Sequence, residues 1–194
     1  MEIIYFREIN MYYYEFFLAV LVIFSNKLAA IYSKNRAEKR LKNPYESLPD
    51  LLHEYLPKTH LHTPDYVLLC VICYSMSKIK KFNVFTFHSL MYSLLTRPFF
   101  VCVTTLPTCV PKPIKKQSLY SKYFISTHDL MYSGHTSIFI FLGSILGGKL
   151  GWIIKYLFPI LLITSRQHYT IDILVSHLIF LVYNKWEKVQ KIKI

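Results

Sequence analysis

Charge is scarce in this chain. Only 18% of its 194 residues are Asp, Glu, Lys or Arg, against 53% hydrophobic residues and a mean hydropathy of +0.30. An ordinary soluble domain is thereby excluded. The charges that exist gather in short blocks between apolar runs, which is the pattern of a polytopic membrane protein with basic loops. No nucleic-acid recognition motif is present, so the net charge of +12 is assigned to contact with anionic lipid head groups. There is no Asn-x-Ser/Thr acceptor to mark a lumenal loop, and no repeat or low-complexity stretch. The first ten residues, with Glu2, Arg7 and Glu8, lack the basic start of a cleaved signal peptide, so the first apolar run is expected to be an uncleaved anchor. A channel or transporter would need polar residues through the middle of several spans, and apart from Glu15, Asn26, Lys27 and Arg97 these are not seen. Cysteine is also scarce. Cys70-Val71-Ile72-Cys73 has the spacing of a redox or zinc pair but lies in an apolar run, where it reads as two small soft residues on a helix.

What is there is a set of six apolar stretches: Met11–Tyr32, Thr63–Ser77, Val84–Leu106, Leu130–Leu150, Trp152–Thr164 and Tyr169–Trp186. Runs of this length in lipid must satisfy their backbone internally, so they read as helices. The expected fold is all-α, a polytopic membrane bundle of about six transmembrane helices. The second and fifth stretches fall short of a full span, and Gly147-Gly148 with Gly151 is expected to make a tight connection that lends residues to the fifth. Three regions follow: 1–47 with the first helix, 48–186 as a catalytic membrane domain, and 187–194 as a basic tail. Basic residues divide almost evenly between the two sets of loops, so charge does not set the orientation.

Two polar motifs interrupt the apolar sequence, Tyr132-Ser133-Gly134-His135-Thr136 and His168-Tyr169-Thr170-Ile171-Asp172. Ionisable groups are expensive in a bilayer and mark function by default. Four residues separate His168 from Asp172, which puts both on one helix face with the carboxylate able to orient the imidazole. That is the wiring of an activated histidine nucleophile, and His135 is placed to serve as acid/base. The natural substrate is a phosphorylated lipid head group. Arg97 and Arg166 are candidates to neutralise phosphate oxygens, since a guanidinium matches phosphate in bidentate geometry. With six spans, alternate loops share a side. Leu48-Pro49-Asp50, Thr104-Thr105-Leu106-Pro107, His135 and His168 then all fall on the same side of the membrane.

Asp129-Leu130-Met131-Tyr132-Ser133-Gly134-His135-Thr136 and Arg166-Gln167-His168-Tyr169-Thr170-Ile171-Asp172 resemble the two catalytic motifs of the sphingomyelin synthase family, a branch of the type 2 phosphatidic acid phosphatase superfamily. Leu48-Pro49-Asp50 resembles that family's first-loop motif, and Arg97 followed by Thr104-Thr105-Leu106-Pro107 its third-span motif. The resemblance implies six helices and transfer of a head-group phosphate from a glycerophospholipid to ceramide, releasing diacylglycerol. It implies His168 as nucleophile, Asp172 as its orienter and His135 as acid/base, with Ser133 and Gly134 near the phosphate and Asp50, Asp129, Tyr132 and Tyr169 near the site. No metal or other cofactor is called for, and the partners are membrane lipids. The family suggests an active site on the lumenal or exoplasmic side of a Golgi, endoplasmic reticulum or plasma membrane. Thr127-His128 stands where animal members carry Cys-Gly, and Arg166-Gln167 resembles plant and protist inositol-phosphorylceramide synthases. The head group therefore stays open among choline, ethanolamine and inositol phosphate. Arg97-Pro98 occurs without the Lys at Leu90 of the wider superfamily's Lys-x6-Arg-Pro motif.

The plainer readings are a lipid phosphate phosphatase, in which water accepts the phosphoryl group, and a non-catalytic lipid-binding protein. Asp50 and Asp129 can also be read as helix caps, and Arg166 as a side chain snorkelling to the interface. His177 lies nine residues beyond His168, a rotation of about 900° that faces it to the opposite side of the helix and removes it as a zinc ligand. His53, His60, His62, His88 and His128 show no comparable partners in sequence. Tyr12-Tyr13-Tyr14 and Trp186 read as interfacial aromatics.

Overall fold

The structure is a computed structural model that describes residues 2–43, 46–78, 84–109 and 130–192. Eight helical segments and no strand occur among those residues: α1 Glu2–Arg40, α2 Leu51–Tyr55, α3 Thr63–Lys78, α4 Val84–Val103, α5 Gly134–Leu146, α6 Gly148–Tyr156, α7 Ile160–Thr164 and α8 Thr170–Ile192. The chain is all-α. One of these helices, α1 over Tyr13–Arg40, is long and apolar enough by itself to cross a membrane.

Helix ends depart from hydropathy where local chemistry overrides it. Helix α1 continues past Tyr32 to Arg40, because Ser33–Arg40 is polar yet mostly good helix-forming sequence. Helix α5 starts at Gly134, not Leu130, because the Ser133 side chain caps it by accepting the Thr136 N–H at 3.2 Å. The fifth apolar stretch is not one helix. It breaks between Tyr156 and Ile160, where Pro159 cannot continue an upstream helix and instead opens α7.

A single core joins α1, α3, α4, α5, α6 and α8 through Leu18, Val22, Leu68, Leu90, Phe139, Ile154 and Phe180. Between α5 and α6 the chain turns at Gly147 and Gly148, whose φ angles of 65° and 58° are left-handed. The two helices then cross with Gly143 against Gly151, so close that a methyl group on either would overlap the other's carbonyl oxygen.

Helix α1 is fastened along α4 by polar contacts at three levels. Glu15 meets His88 Nε2 at one end, and Arg36 Nη1 donates to the Cys102 carbonyl at the other. Midway, Pro98 interrupts the α4 ladder and leaves the Leu94 carbonyl without its helical donor. Asn26 Nδ2 donates to that carbonyl at 2.8 Å, and Asn26 Oδ1 accepts from Arg97 Nη1 at 2.9 Å. The Asn26 amide thus repairs the proline break and steadies Arg97.

Large apolar side chains also point away from this core. Phe16, Phe17, Ile23 and Phe24 on α1, Met76 on α3, Phe99 on α4 and Leu174, Leu178 and Val182 on α8 are each more than half exposed. Apolar area of this extent marks a contact surface for another apolar phase.

Candidate functional site

The site lies where the starts of α5 and α8 meet, with α2 and the end of α4 packed around them. Asp172 is its centre, fully buried at 0% exposure. Its Oδ2 accepts from His168 Nδ1 at 2.9 Å and from the Tyr169 N–H at 3.1 Å, and its Oδ1 accepts from the Met131 N–H at 2.8 Å. The Tyr169 bond is half of a capping box at the start of α8. Met131 reaches the carboxylate only by adopting φ 77°, a strained value for a residue with a side chain. The backbone just before Ser133-Gly134-His135 is thereby tied to the His168 motif. Ser176 adds a second tie, accepting from the Ser133 N–H at 2.7 Å while its hydroxyl donates to the Asp172 carbonyl at 2.6 Å.

With Nδ1 of His168 committed to Asp172, Nε2 is the ring nitrogen left without a partner among the described residues. His135 does not bond to His168. Its Nε2 lies 3.1 Å from Asp65 Oδ1, and its side chain is about one-third exposed. Asp65 Oδ2 also takes His62 Nδ1 at 3.2 Å and Gln167 Nε2 at 3.4 Å. Asp65 therefore links His135 to the residue next to His168. Each histidine has one nitrogen on a carboxylate and the other available for chemistry.

The four motifs converge. Asp50 caps α2 by accepting the His53 N–H at 3.2 Å, and it also accepts from the Thr170 N–H at 2.8 Å and the Thr170 hydroxyl at 2.7 Å. Burial pushes the Asp50 carboxyl pKa up, but the Thr170 and His53 bonds outweigh it and hold it below the ordinary aspartate value. Tyr169 OH accepts from the Leu48 N–H at 2.8 Å and donates to the Pro107 carbonyl at 3.0 Å, joining the first-loop motif, the end of the third-span motif and the His168 motif. Burial raises the pKa of Cys109, two residues beyond Pro107, so its thiol stays protonated and is no nucleophile.

Other sequence candidates hold the scaffold. Arg97 Nε donates to the Tyr132 carbonyl at 3.0 Å while Nη1 serves Asn26, so this guanidinium braces α4 against the turn before His135 and lies beside Gly134. Tyr132 is fully buried with its hydroxyl 2.9 Å from Ser137 Oγ, and the Ser133 hydroxyl is occupied as the α5 cap. Arg166 does not snorkel. Its Nη2 donates to the His53 and Leu56 carbonyls, its Nη1 is buried without a partner among the described residues, and its φ is 61°. Asp129 and His128 lie outside the described residues.

Three histidine partnerships were not read from the sequence. His53, His62 and His88 each have one: His53 with the His168 carbonyl, His62 with Asp65, and His88 with Glu15. Asp65 itself was missed, although its spacing of three from His62 at the start of α3 was a usable signal. Ser176, four residues beyond Asp172, was legible on the same ground. His177 turns away to α6, with Nδ1 3.0 Å from the Ile173 carbonyl, Nε2 3.0 Å from the Lys155 carbonyl and its ring stacked on Tyr156. No group of three or more His, Cys, Asp or Glu side chains suited to a metal ion occurs among the described residues. Compared with known proteins, the chain matches no family model, no curated protein and no solved structure.

Proposed function

We propose that this chain is a membrane-embedded lipid phosphotransferase, similar to the sphingomyelin synthases, that moves a phosphorylated head group from a glycerophospholipid to ceramide through a phosphohistidine. The observation that carries the reading is the His168–Asp172 pair. The buried carboxylate accepts three N–H bonds, and it holds Nδ1–H of the imidazole so that the Nε2 lone pair is free for attack.

In the proposed cycle His168 Nε2 attacks the donor phosphorus and an N–P bond forms. The P–O bond to diacylglycerol breaks, and the departing oxygen takes a proton from His135. With Nε2–H of His135 held by Asp65, Nδ1 is the nitrogen that gives up this proton. Neutral His135 then removes the proton of the ceramide primary hydroxyl. That oxygen attacks phosphorus, the N–P bond breaks, and its electron pair returns to His168 Nε2. The tie through Met131 and Ser176 keeps the two histidine motifs in register through both halves.

In this reading α1, α3, α4, α5, α6 with α7, and α8 are the six membrane-crossing runs, and the outward-facing phenylalanines and leucines contact lipid. An apolar groove of about 520 Å³ between α3 and α6, lined by Tyr66, Val67, Cys70, Tyr74, Leu150 and Phe158, begins one residue past Asp65 and suits an acyl chain. On this reading the chain is a multi-pass protein of the Golgi, endoplasmic reticulum or plasma membrane, with the site lumenal or exoplasmic.

The test uses the purified full chain in liposomes of head-group-labelled phospholipid, with and without ceramide. Labelled sphingolipid and diacylglycerol appearing together, dependent on ceramide, is the expected result. Free head-group phosphate or inorganic phosphate with no ceramide product would replace the transferase by a lipid phosphatase. No turnover with choline, ethanolamine or inositol donors would leave only lipid binding.

A further inference from the structure

The backbone carbonyl of His168, two residues before the first residue of α8, has no helical partner. The Asp172 N–H, which would serve it in a regular helix, instead donates to Tyr169 at 3.1 Å. His168 is only 7% exposed, so water is a poor substitute. His53 fills the gap with Nε2 3.0 Å from that carbonyl, and since a carbonyl only accepts, Nε2 carries the proton. The same residue touches the loop at two further points. Its ring stacks on Tyr169 at 5.7 Å between centroids, and its own carbonyl accepts from Arg166 Nη2.

We infer that His53 is a positioning residue for the nucleophile: its Nε2–H fixes the main chain of His168 so that the imidazole keeps its bond to Asp172. The inference rests on the phosphotransferase reading for its consequence, though not for its geometry. Arg166 supports the same arrangement, since its left-handed backbone is held by bonds to the last carbonyls of α2. Helix α2 is too short to be stable alone, and its function here is to carry Asp50 and His53 to either side of the nucleophile.

The test compares the full-length protein with His53→Gln and His53→Phe. Glutamine keeps an N–H at the Nε2 position, whereas phenylalanine keeps the ring on Tyr169 and removes the donor. The expected result in liposomes is a fall in kcat of up to about 100-fold for His53→Phe with KM little changed, since small misplacement of a reacting group costs rate, not binding. His53→Gln should recover most of the rate. A second readout needs no lipid substrate: carbethoxylation of His168 by diethyl pyrocarbonate, followed by mass spectrometry, should slow in His53→Phe and not in His53→Gln. Equal impairment of both variants, or wild-type kcat and wild-type His168 reactivity in His53→Phe, would overturn the inference. Absence of lipid transfer in the wild type, with His168 reactivity still following the Gln/Phe pattern, would sink the phosphotransferase reading and leave the positioning role standing.

Discussion

Asp172→Asn separates two jobs that the carboxylate performs together. The side chain accepts three N–H bonds in a fully buried position, two on Oδ2 and one on Oδ1. An asparagine has one acceptor oxygen. Its lower-energy orientation keeps that oxygen on His168 and Tyr169 and turns its NH2 toward the Met131 N–H. One buried donor is then unpaired, at about 1–3 kcal/mol. For a chain of this size that corresponds to a Tm fall of roughly 2–4 °C per kcal/mol. Asp172→Ala strands all three donors, so its stability loss should exceed that of Asp172→Asn by at least about 2 kcal/mol. The rate effect has a different origin, because the charge that stabilises the imidazolium is gone in both variants. In Ser-His-Asp enzymes the equivalent Asp→Asn change lowers kcat about 10⁴-fold, and here a loss of about 10² to 10⁴ is expected. Initial rates of ceramide-dependent head-group transfer, paired with thermal unfolding in detergent, give both numbers. If Asp172→Asn transferred within about tenfold of wild type while showing the stability loss, Asp172 would be a cap for α8 and a tether for Met131, and the nucleophile assignment would fail.

Three further perturbations probe the scaffold. Asn26→Ala removes the donor to the proline-freed Leu94 carbonyl and the acceptor for Arg97, and thermal unfolding should report a loss of about 2–4 kcal/mol for the two stranded groups. Gly143→Ala forces a methyl onto the Gly151 carbonyl, whereas Gly147→Ala meets open space and bears only its backbone strain at φ 65° and ψ −172°, about 1–3 kcal/mol, so Gly143→Ala should be the more damaging by Tm. Asp50 has a folded pKa held below its unfolded value near 3.9, so its contribution is fully present above about pH 4 and is lost as pH falls through the lower folded value. The stability difference between wild type and Asp50→Ala should therefore be flat from neutral pH to about 4 and shrink below it. A difference that vanished by pH 6 would point to a histidine in place of Asp50.

How much was legible divides by the kind of contact. His168 and Asp172 are four apart on a helix, so their bond follows from helical geometry alone. The gathering of Leu48–Asp50, Pro107, the His135 turn and the His168 turn in one place was an expectation from counting apolar runs, and Tyr169 and Asp50 make the bonds that close it. Hydropathy misjudged ends because it measures partition, not hydrogen bonding. It stopped α1 at Tyr32 although the polar residues beyond continue the helix, and it ran through Pro159, where a missing N–H ends one. The pairs that complete the site are separated by 70 to 120 residues: His135 with Asp65, His168 with His53, Thr170 with Asp50. No local period encodes such pairs, and α2, at five residues, is too short to show one. Yet the need for them was present in the sequence. A histidine two residues before a helix start has a carbonyl outside the helical ladder, and a proline in mid-helix frees another. In this chain each freed carbonyl is met by a donor the sequence had left unexplained, His53 for the first and Asn26 for the second. The backbone groups that a helix boundary strands, matched to the polar side chains that lack a role, narrow the partners of a buried site further than spacing does.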